Sequence, residues 1–343
     1  MIPRVTLNDV AREANVSPAT VDRVLNNRDG VRARTRDVVL TTAMRLGYMS
    51  QAEVPLAGRA AARTINLIFL LPSGTNSFIK VLQQQIEQQS ALRTELNVRV
   101  ETLEGFNPQR VAQRLTELHA EVDGIGLVAQ DHPLVREAIR GLSRSEIAVV
   151  TIASDIPHAG RAAYVGIDNR QAGRLAGQLI GRLLTPTGAS KIALFAGSLS
   201  YRGHEEREMG FRHILREEFP EVHIVELREI QDDRKRAVVE TASLLDAHPD
   251  LKGIYNVGAG TVGIAQEVVA RGLTKQIVLI GHEATEQNKQ LLLDGVLDAV
   301  IDQNPRVEVR EALNILTAAA LRQPYTFVPP RLQLVLKENL PSE

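Results

Sequence analysis

The chain has 343 residues, 44% of them hydrophobic, and its 40 Lys and Arg against 41 Asp and Glu give a formal charge of −1. That length predicts two or more globular units, at roughly 150 residues per domain. With no Cys and no Trp, a disulfide scaffold, a thiol nucleophile and thiolate-built zinc or iron–sulfur sites are excluded. The overall balance hides an asymmetry: residues 1–63 carry ten Arg, no Lys and six acids, a charge of +4, which leaves −5 for the rest. A small basic head thus precedes a larger acidic body. The opening MIPRVTLNDVAREANVS is broken by charged and polar residues, so neither a signal-peptide core nor a membrane span is expected, and the default is a soluble cytoplasmic protein.

The head predicts three short helices, from Thr6 to Glu13 or Ala14, from Ser17 to Leu25 or Asn26, and from Arg34 to Leu46. Thr6 and Ser17 suit N-caps, because a hydroxyl accepts a bond from the unpaired amides of a first turn. Pro18 suits the next position, where its missing N–H costs nothing. Only Asn15 and Val16 separate the first two helices, and Asn tolerates the left-handed backbone of a tight reversal. That is helix-turn-helix spacing. Composition alone leaves two readings open, a solvated helical hairpin and a DNA reader whose second helix enters the major groove.

After Tyr48 the pattern dissolves into an Ala-rich linker with Pro55 and Gly58, and the expected division is 1–49 for the head, 50–63 for a hinge and 64–343 for the body. From Thr64 strand-like runs alternate with helical segments. INLIFLLP, NVRVETLE, GIGLVA and IAVVTIA form a first series, with helices at 77–92, 108–119 and 133–142 between them. A second series is read as starting at YVGID and continuing through KIALFAG, HIVELREI, GIYNVGAG, IVLIG and LDAVIDQ, with helices at 170–184, 206–219, 234–247 and 261–272. Apolar strands without period-two alternation, each followed by a helix, indicate parallel sheets covered on both faces. The fold class expected is α/β, with an all-α head joined to a body of two doubly wound parallel sheets, since one sheet does not comfortably hold about ten strands. A ligand cleft belongs between the halves, beyond the carboxyl ends of the strands. Gly173, Gly177 and Gly181 share one helix face, interleaved with Arg174, Gln178 and Arg182, a pattern of close packing in water and not of a membrane dimer.

VTLNDVAREANVSPATVDRVLNN, followed by GVRARTRDVVLTTAMRLGY, resembles the head of the lactose-repressor and galactose-repressor (LacI/GalR) family over nearly all of residues 5–48. The resemblance implies phosphate or groove contacts from Thr6, Ser17, Thr20, Asn26, Val31 and Thr35, with Tyr48 near the DNA backbone. It implies base contacts from Pro18, Ala19 and Arg23, for which an Arg–guanine pair and an Ala–thymine-methyl contact are the chemistry. Asp22 departs from the Ser frequent at its position, where a carboxylate is repelled by phosphate; a solvated position or an intramolecular pair with Arg accounts for it. Family members also order a hinge helix that wedges a Leu into the minor groove, and Leu56 is the only large apolar candidate. Either Ser50 and Glu53 form a capping box, which leaves Pro55 inside the helix, or Pro55 starts it.

Residues 64–335 resemble the sugar-binding body shared by these repressors and periplasmic sugar-binding proteins, through PSGTNSF, YVGIDNRQAGRLAG, EEREMGF and IDQNP. The resemblance implies a two-lobed body and effector contacts from Asn76, Phe78, Asp131, Asp155, Arg207, Asn256, Glu283 and Gln303, all just past strand ends. Carboxylates, amides and Arg grip hydroxyl pairs, and an aromatic covers a sugar's C–H face. For Arg207 the bland reading is a surface ion pair with Glu205 or Glu208; for Asp131 and Gln303 it is capping or turn roles. Asp168 is read first as a helix cap. His282 and Glu283 stand where an aromatic and an Asp are usual, and Gly258 replaces a commonly acidic position, which leaves sugars, polyols and sugar acids open as ligands.

One rival survives inspection. Gly258-Ala-Gly260-Thr-Val-Gly263 is a GxGxxG run after an apolar strand, with Glu283 20 residues beyond it, the outline of a dinucleotide fingerprint. It comes late in the chain, with too few strands after it for the usual six. There is no HExxH, GxSxG or P-loop motif among the eight scattered His and other residues, so no enzyme, cofactor or metal site is expected. The sequence is thus read as a DNA-binding regulator, a homodimer on a pseudo-palindromic operator, whose effector is a carbohydrate or polyol; the alternative is an NAD(P)-binding enzyme or sensor.

Overall fold

Thr6 opens the first helix, α1 (Leu7–Glu13), in a computed structural model that describes residues 6–25, 31, 33–46, 48, 63–184 and 188–341. Its hydroxyl accepts the Asp9 amide at 3.4 Å while the Asp9 carboxylate accepts the Thr6 amide at 2.9 Å, a reciprocal cap that satisfies two first-turn donors. Asn15 takes φ 52° at the reversal, and α2 (Pro18–Leu25) follows with the Ser17 hydroxyl accepting the Thr20 amide at 3.2 Å. With α3 (Ala33–Arg45) these helices close over Val10, Val21, Val24 and Val39. The residues before and after this core belong to the unit Met1–Arg63; the rest of the chain, Thr64–Glu343, is a second unit.

The second unit holds two sheets. The first contains β1 (Ile65–Ser73), β2 (Leu96–Glu104), β3 (Gly124–Leu127), β4 (Ala148–Ile152) and β5 (Ala163–Val165), in the order β2-β1-β3-β4-β5 and parallel throughout. The second contains β6 (Ser190–Ala196), β7 (Val222–Glu229), β8 (Leu251–Asn256), β9 (Val278–His282), β10 (Ala299–Asp302) and β11 (Gln333–Val335), in the order β11-β10-β9-β8-β6-β7. Only β11 runs antiparallel, against β10. The helices between strands are α4 (Ser77–Ala91), α5 (Pro108–Glu117) and α6 (Pro133–Arg144) in the first lobe. Those of the second are α7 (Asn169–Leu184), α8 (Arg202–Glu218), α9 (Arg234–Ala247), α10 (Thr261–Ala270) and α11 (Glu286–Leu293). Each sheet is covered on both faces by apolar clusters, which is why its strands read as continuous apolar runs.

Two expectations are corrected. The strand within YVGID does not begin the second lobe: as β5 it pairs with β4, Val150 opposite Ala163, at the edge of the first sheet. Its three residues are too few to declare a sheet, and only the pairing assigns them. The sequence reading also passed over α12 (Pro305–Ala320), which starts behind an Asn304 cap and buries Val309, Leu313 and Leu316 in the first lobe's core. The chain therefore crosses between lobes after β5, after β10 and again before β11, and the second crossing returns α12 to the first lobe. The glycine stripe does pack closely: a Cβ on Gly173 would lie 1.9 Å from the Arg207 carbonyl oxygen, and one on Gly177 2.3 Å from Ile214. That approach seats α8, and with it Arg207, against α7.

Candidate functional site

In the head, α2 turns Val21 and Val24 inward and leaves Ser17, Pro18, Ala19 and Arg23 exposed, with Thr20 half-buried. Period 3.6 dictates this division, and it puts the residues expected to read DNA on one open face. The Ser17 and Thr20 hydroxyls lie 2.9 Å apart. Val31 is half-buried against the head core, Thr35 is half-buried on α3, and Tyr48 is exposed. Asn26 and Leu56, with the hinge expected around Pro55, lie outside the described residues.

In the body a cavity of about 640 Å³ opens between the lobes at the carboxyl ends of the strands. The first lobe contributes Thr75, Asn76 and Phe78 at the start of α4, and Ala153 and Ser154 after β4; the second contributes Arg207 from α8 and residues that follow its strands. Arg207, 4% exposed, is no surface ion-pair partner. Its Nε donates to Asn169 Oδ1 at 2.7 Å and one Nη to the Val257 carbonyl at 2.8 Å, while the other Nη stands 3.8 Å from Glu283 Oε1. Gln303 Nε2 donates to the same Glu283 oxygen at 2.6 Å. The second oxygen of Glu283 and Gln303 Oε1 are buried without partners, so the cavity floor keeps hydrogen-bonding capacity that its own chain does not use. His282 Nε2 faces the Tyr255 hydroxyl at 2.8 Å, and Asn288 holds the carbonyls of His282 and Glu283 at 2.9 and 2.8 Å. Glu283 itself sits at φ 68°, a left-handed conformation that aims its side chain at Gln303 and that Asn288 helps to hold.

Of the eight expected effector residues, Asn76, Phe78, Arg207, Glu283 and Gln303 line this cavity. Three do not. The Asp131 carboxylate is held by Arg136 at 2.5 and 2.6 Å, and that of Asp155 by Arg161, the Thr151 hydroxyl and the Ile156 amide. Asn256 sits under the floor, its amide nitrogen donating to the carbonyls of Gly258 and Ala259 and to the Thr261 hydroxyl. It shapes the turn that enters α10. Asp168 caps α7 through the Gln171 amide at 2.9 Å. Sequence reasoning missed Asp232, His204 and Tyr201 as lining residues; α8 begins at Arg202, four residues before the helix expected at 206, which carries His204 into the site.

The glycines of the GxGxxG run are occupied by this chain's own atoms. A Cβ on Gly258 would fall 2.7 Å from Asp232 Oδ1, one on Gly260 2.5 Å from Ile230, and one on Gly263 2.4 Å from the Arg234 carbonyl. The Ala259 amide, which a pyrophosphate would need, already donates to Asp232 at 2.9 Å.

Burial dominates the electrostatics. Glu283 is pushed up to about 8, with Asp302 adding to the rise and Arg207 and Gln303 opposing it. Glu308, fully buried in the first turn of α12 with both oxygens unpartnered, is raised well above its ordinary value by burial and by the Glu283 and Asp302 charges. His282 is held well below 6.5, by burial first and then by Arg207. A raised Glu stabilises the fold below its unfolded value of 4.5 and loses that contribution as pH rises to about 8; a depressed His loses its contribution as pH falls below 6.5. The imidazole opposes the raised carboxyls below pH 6.5, and above it Glu283 and Glu308 act in the same direction. We expect the ligand-free melting temperature to fall between pH 6.5 and 8, and Glu283→Gln to flatten that fall. Calorimetry at half-unit steps checks this, and a slope unaltered by the substitution refutes it.

Among the described residues, no group of three His, Asp or Glu is placed to hold a metal, and no helix is long and apolar enough to cross a membrane.

A helix-turn-helix head and a two-lobed α/β body with an interlobe cleft define a chain that joins a nucleic-acid-binding type of head to a ligand-binding type of module. Residues 67–323 match the family described as periplasmic binding protein domain, and residues 6–51 match bacterial regulatory proteins, lacI family. The chain belongs to the periplasmic binding protein domain family through its body, and its head is a helix-turn-helix domain of the lacI kind. Catabolite control protein A of Priestia megaterium is 31% identical over 214 residues, 62% of this chain and 61% of that protein. The alignment thus spans less than two thirds of that relative. The ribose operon repressor of Halalkalibacterium halodurans is 26% identical over 292 residues, 85% of this chain and 80% of that one. A solved ABC transporter solute-binding protein of Burkholderia graminis, in complex with D-arabinose, has a TM-score of 0.76 at 24% identity, covering 82% of this chain and 98% of its own. That likeness is one of fold. Two of these relatives are a control protein and a repressor by name, and the dinucleotide reading is not favoured.

Proposed function

We propose that the chain is a one-component transcriptional repressor of the lacI type, with residues 1–49 reading DNA, 50–63 forming the hinge and 64–343 binding effector and dimerising. The observation that carries it is the presence in one chain of an exposed, arginine-bearing second helix and a cleft of about 640 Å³ floored by Arg207, Glu283 and Gln303. Pro18, Ala19 and Arg23 contact bases. Thr6, Ser17, Thr20, Asn26, Val31, Thr35 and Tyr48 contact the backbone or groove, and Leu56 is the minor-groove wedge. One head offers a small contact area, so two act together on a pseudo-palindromic operator in the cytoplasm. The effector is a carbohydrate or polyol, a reading supported by the guanidinium, carboxyl and amide groups on the cavity floor and by the ribose operon repressor among the relatives. Effector and operator are coupled reciprocally, by about 1–3 kcal/mol as is typical of such linkage.

The test pairs a salt titration of operator binding with a thermal screen of pentoses, hexoses, polyols and NAD(H). Operator affinity should fall steeply with salt, because phosphate contacts release counterions. Melting should rise with a carbohydrate and not with NAD(H). A flat salt response, or a shift from NAD(H) alone, overturns the reading.

A further inference from the structure

Asp232 lies in the turn between β7 and α9, and everything around it places its carboxylate. Gln231 and Asp232 both adopt left-handed backbone, at φ 52° and 53°. Two glycines leave the space it fills: a Cβ on Gly197 would lie 2.2 Å, and one on Gly258 2.7 Å, from its Oδ1. Within the second lobe, Oδ1 accepts the Ala259 amide at 2.9 Å. Across the cleft, Oδ2 accepts Asn76 Nδ2 at 3.1 Å, and the Asp232 carbonyl accepts the Thr75 hydroxyl at 3.0 Å. Both carboxylate oxygens therefore have protein partners, one in each lobe. The Asn76 amide is likewise committed, since its Oδ1 accepts the Phe78 amide at 3.0 Å to cap α4. That cap fixes which end of the amide faces Asp232: the NH₂ group must point across the cleft.

We propose that Asp232 is the latch of the cleft, a positioning residue that joins the second lobe to the Asn76 cap of the first and so sets the fraction of molecules with the cleft closed. Its consequence for effector affinity rests on the cleft being the effector site, because a ligand that needs the closed form binds in proportion to that fraction. Neighbouring bridges, the Ser154 hydroxyl accepting the Gly203 amide at 3.2 Å and the Ser200 carbonyl accepting the Asp131 amide at 3.1 Å, join the same two lobes without a charged group. The latch is the bridge whose bond is charge-assisted, and so the one whose loss should weigh most.

The bond's polarity supplies a test. Asp232→Asn keeps the shape and still accepts the Ala259 amide, but confronts the Asn76 NH₂ with a second donor. Asn76→Asp keeps the α4 cap but confronts one carboxylate with another. Combining the two restores a donor opposite a carboxylate with the roles exchanged. The cysteine-free chain allows two labels on the full-length, ligand-free protein, through Gln84→Cys on α4 and Val239→Cys on α9, both exposed. Pulsed electron–electron distance measurements should show the closed-to-open ratio falling about tenfold or more in each single variant and returning toward the parent in the double. An unchanged distance distribution in Asp232→Asn, or a double variant as open as the singles, overturns the latch. Neither ligand nor DNA enters the measurement, so its failure leaves the effector reading standing.

Discussion

Replacing Arg207 by alanine is expected to remove the melting-temperature rise conferred by the effector while leaving a cooperatively folding body. The guanidinium is buried, and two of its three nitrogens are tied to Asn169 and the Val257 carbonyl. Those two bonds hold the side chain, and the remaining Nη group faces Glu283 and the cavity. A hydrogen bond between a charged group and a neutral hydroxyl contributes about 1.5–3 kcal/mol, so its loss is roughly tenfold or more in Kd at 25 °C. The ligand-free protein should lose stability as well, because Asn169 and Val257 are left with unsatisfied buried acceptors at about 1–3 kcal/mol each. Arg207→Lys separates the two effects: it restores a charge but not the planar fork, so ligand-free stability should recover further than affinity. Titration calorimetry with the sugar found in the thermal screen, alongside ligand-free melts, reads both quantities. Undiminished effector response in Arg207→Ala moves the grip to another part of the cavity.

Arg23→Ala should weaken operator binding by about 1–3 kcal/mol, the range for one good side-chain contact to a base, and relax the preference for the base it reads. Arg23 is exposed on the same face as Ser17, Pro18 and Ala19, while Val21 and Val24 on either side of it in sequence are buried. The substitution therefore removes a surface group without touching the head core, and head stability should stay within a few tenths of a kcal/mol. Ser17→Ala provides the contrast. It deletes the hydroxyl that accepts the Thr20 amide, costing about 0.5–2 kcal/mol of head stability, and weakens DNA of every sequence alike. Fluorescence anisotropy on operator and scrambled duplexes, at several salt concentrations, distinguishes the two. Equal loss on both duplexes for Arg23→Ala reassigns that residue to the phosphate backbone, and no loss on either removes α2 from the groove.

Short-range chemistry made most of the elements legible. The Thr6 and Ser17 hydroxyls, Pro18 at a helix start and Asn15 in left-handed backbone act on neighbours within about four residues, so reading them in order located α1 and α2 closely. The apolar strands and their strand-end residues were legible for the same reason: Glu283 and Gln303 directly follow runs whose burial pattern needs no knowledge of the partner strand, whereas Arg207 stands in the second turn of α8 and not at a strand end. Asp131 and Asp155 were misjudged because a carboxylate past a strand end looks alike whether it faces a ligand or an arginine five or six residues along. Arg136 and Arg161 take them.

The amino-acid sequence by itself thus determined a basic helix-turn-helix head, a doubly wound body and a polar floor for its cleft, since periodicity, capping and backbone restriction are local properties. Tertiary structure alone decided that β5 closes the first sheet, that α12 returns to the first lobe carrying a buried Glu308, and that Asp232 meets Asn76 across 156 positions of chain. Such pairings depend on which surfaces pack together, and no signal confined to a few neighbouring residues encodes a partner that far away.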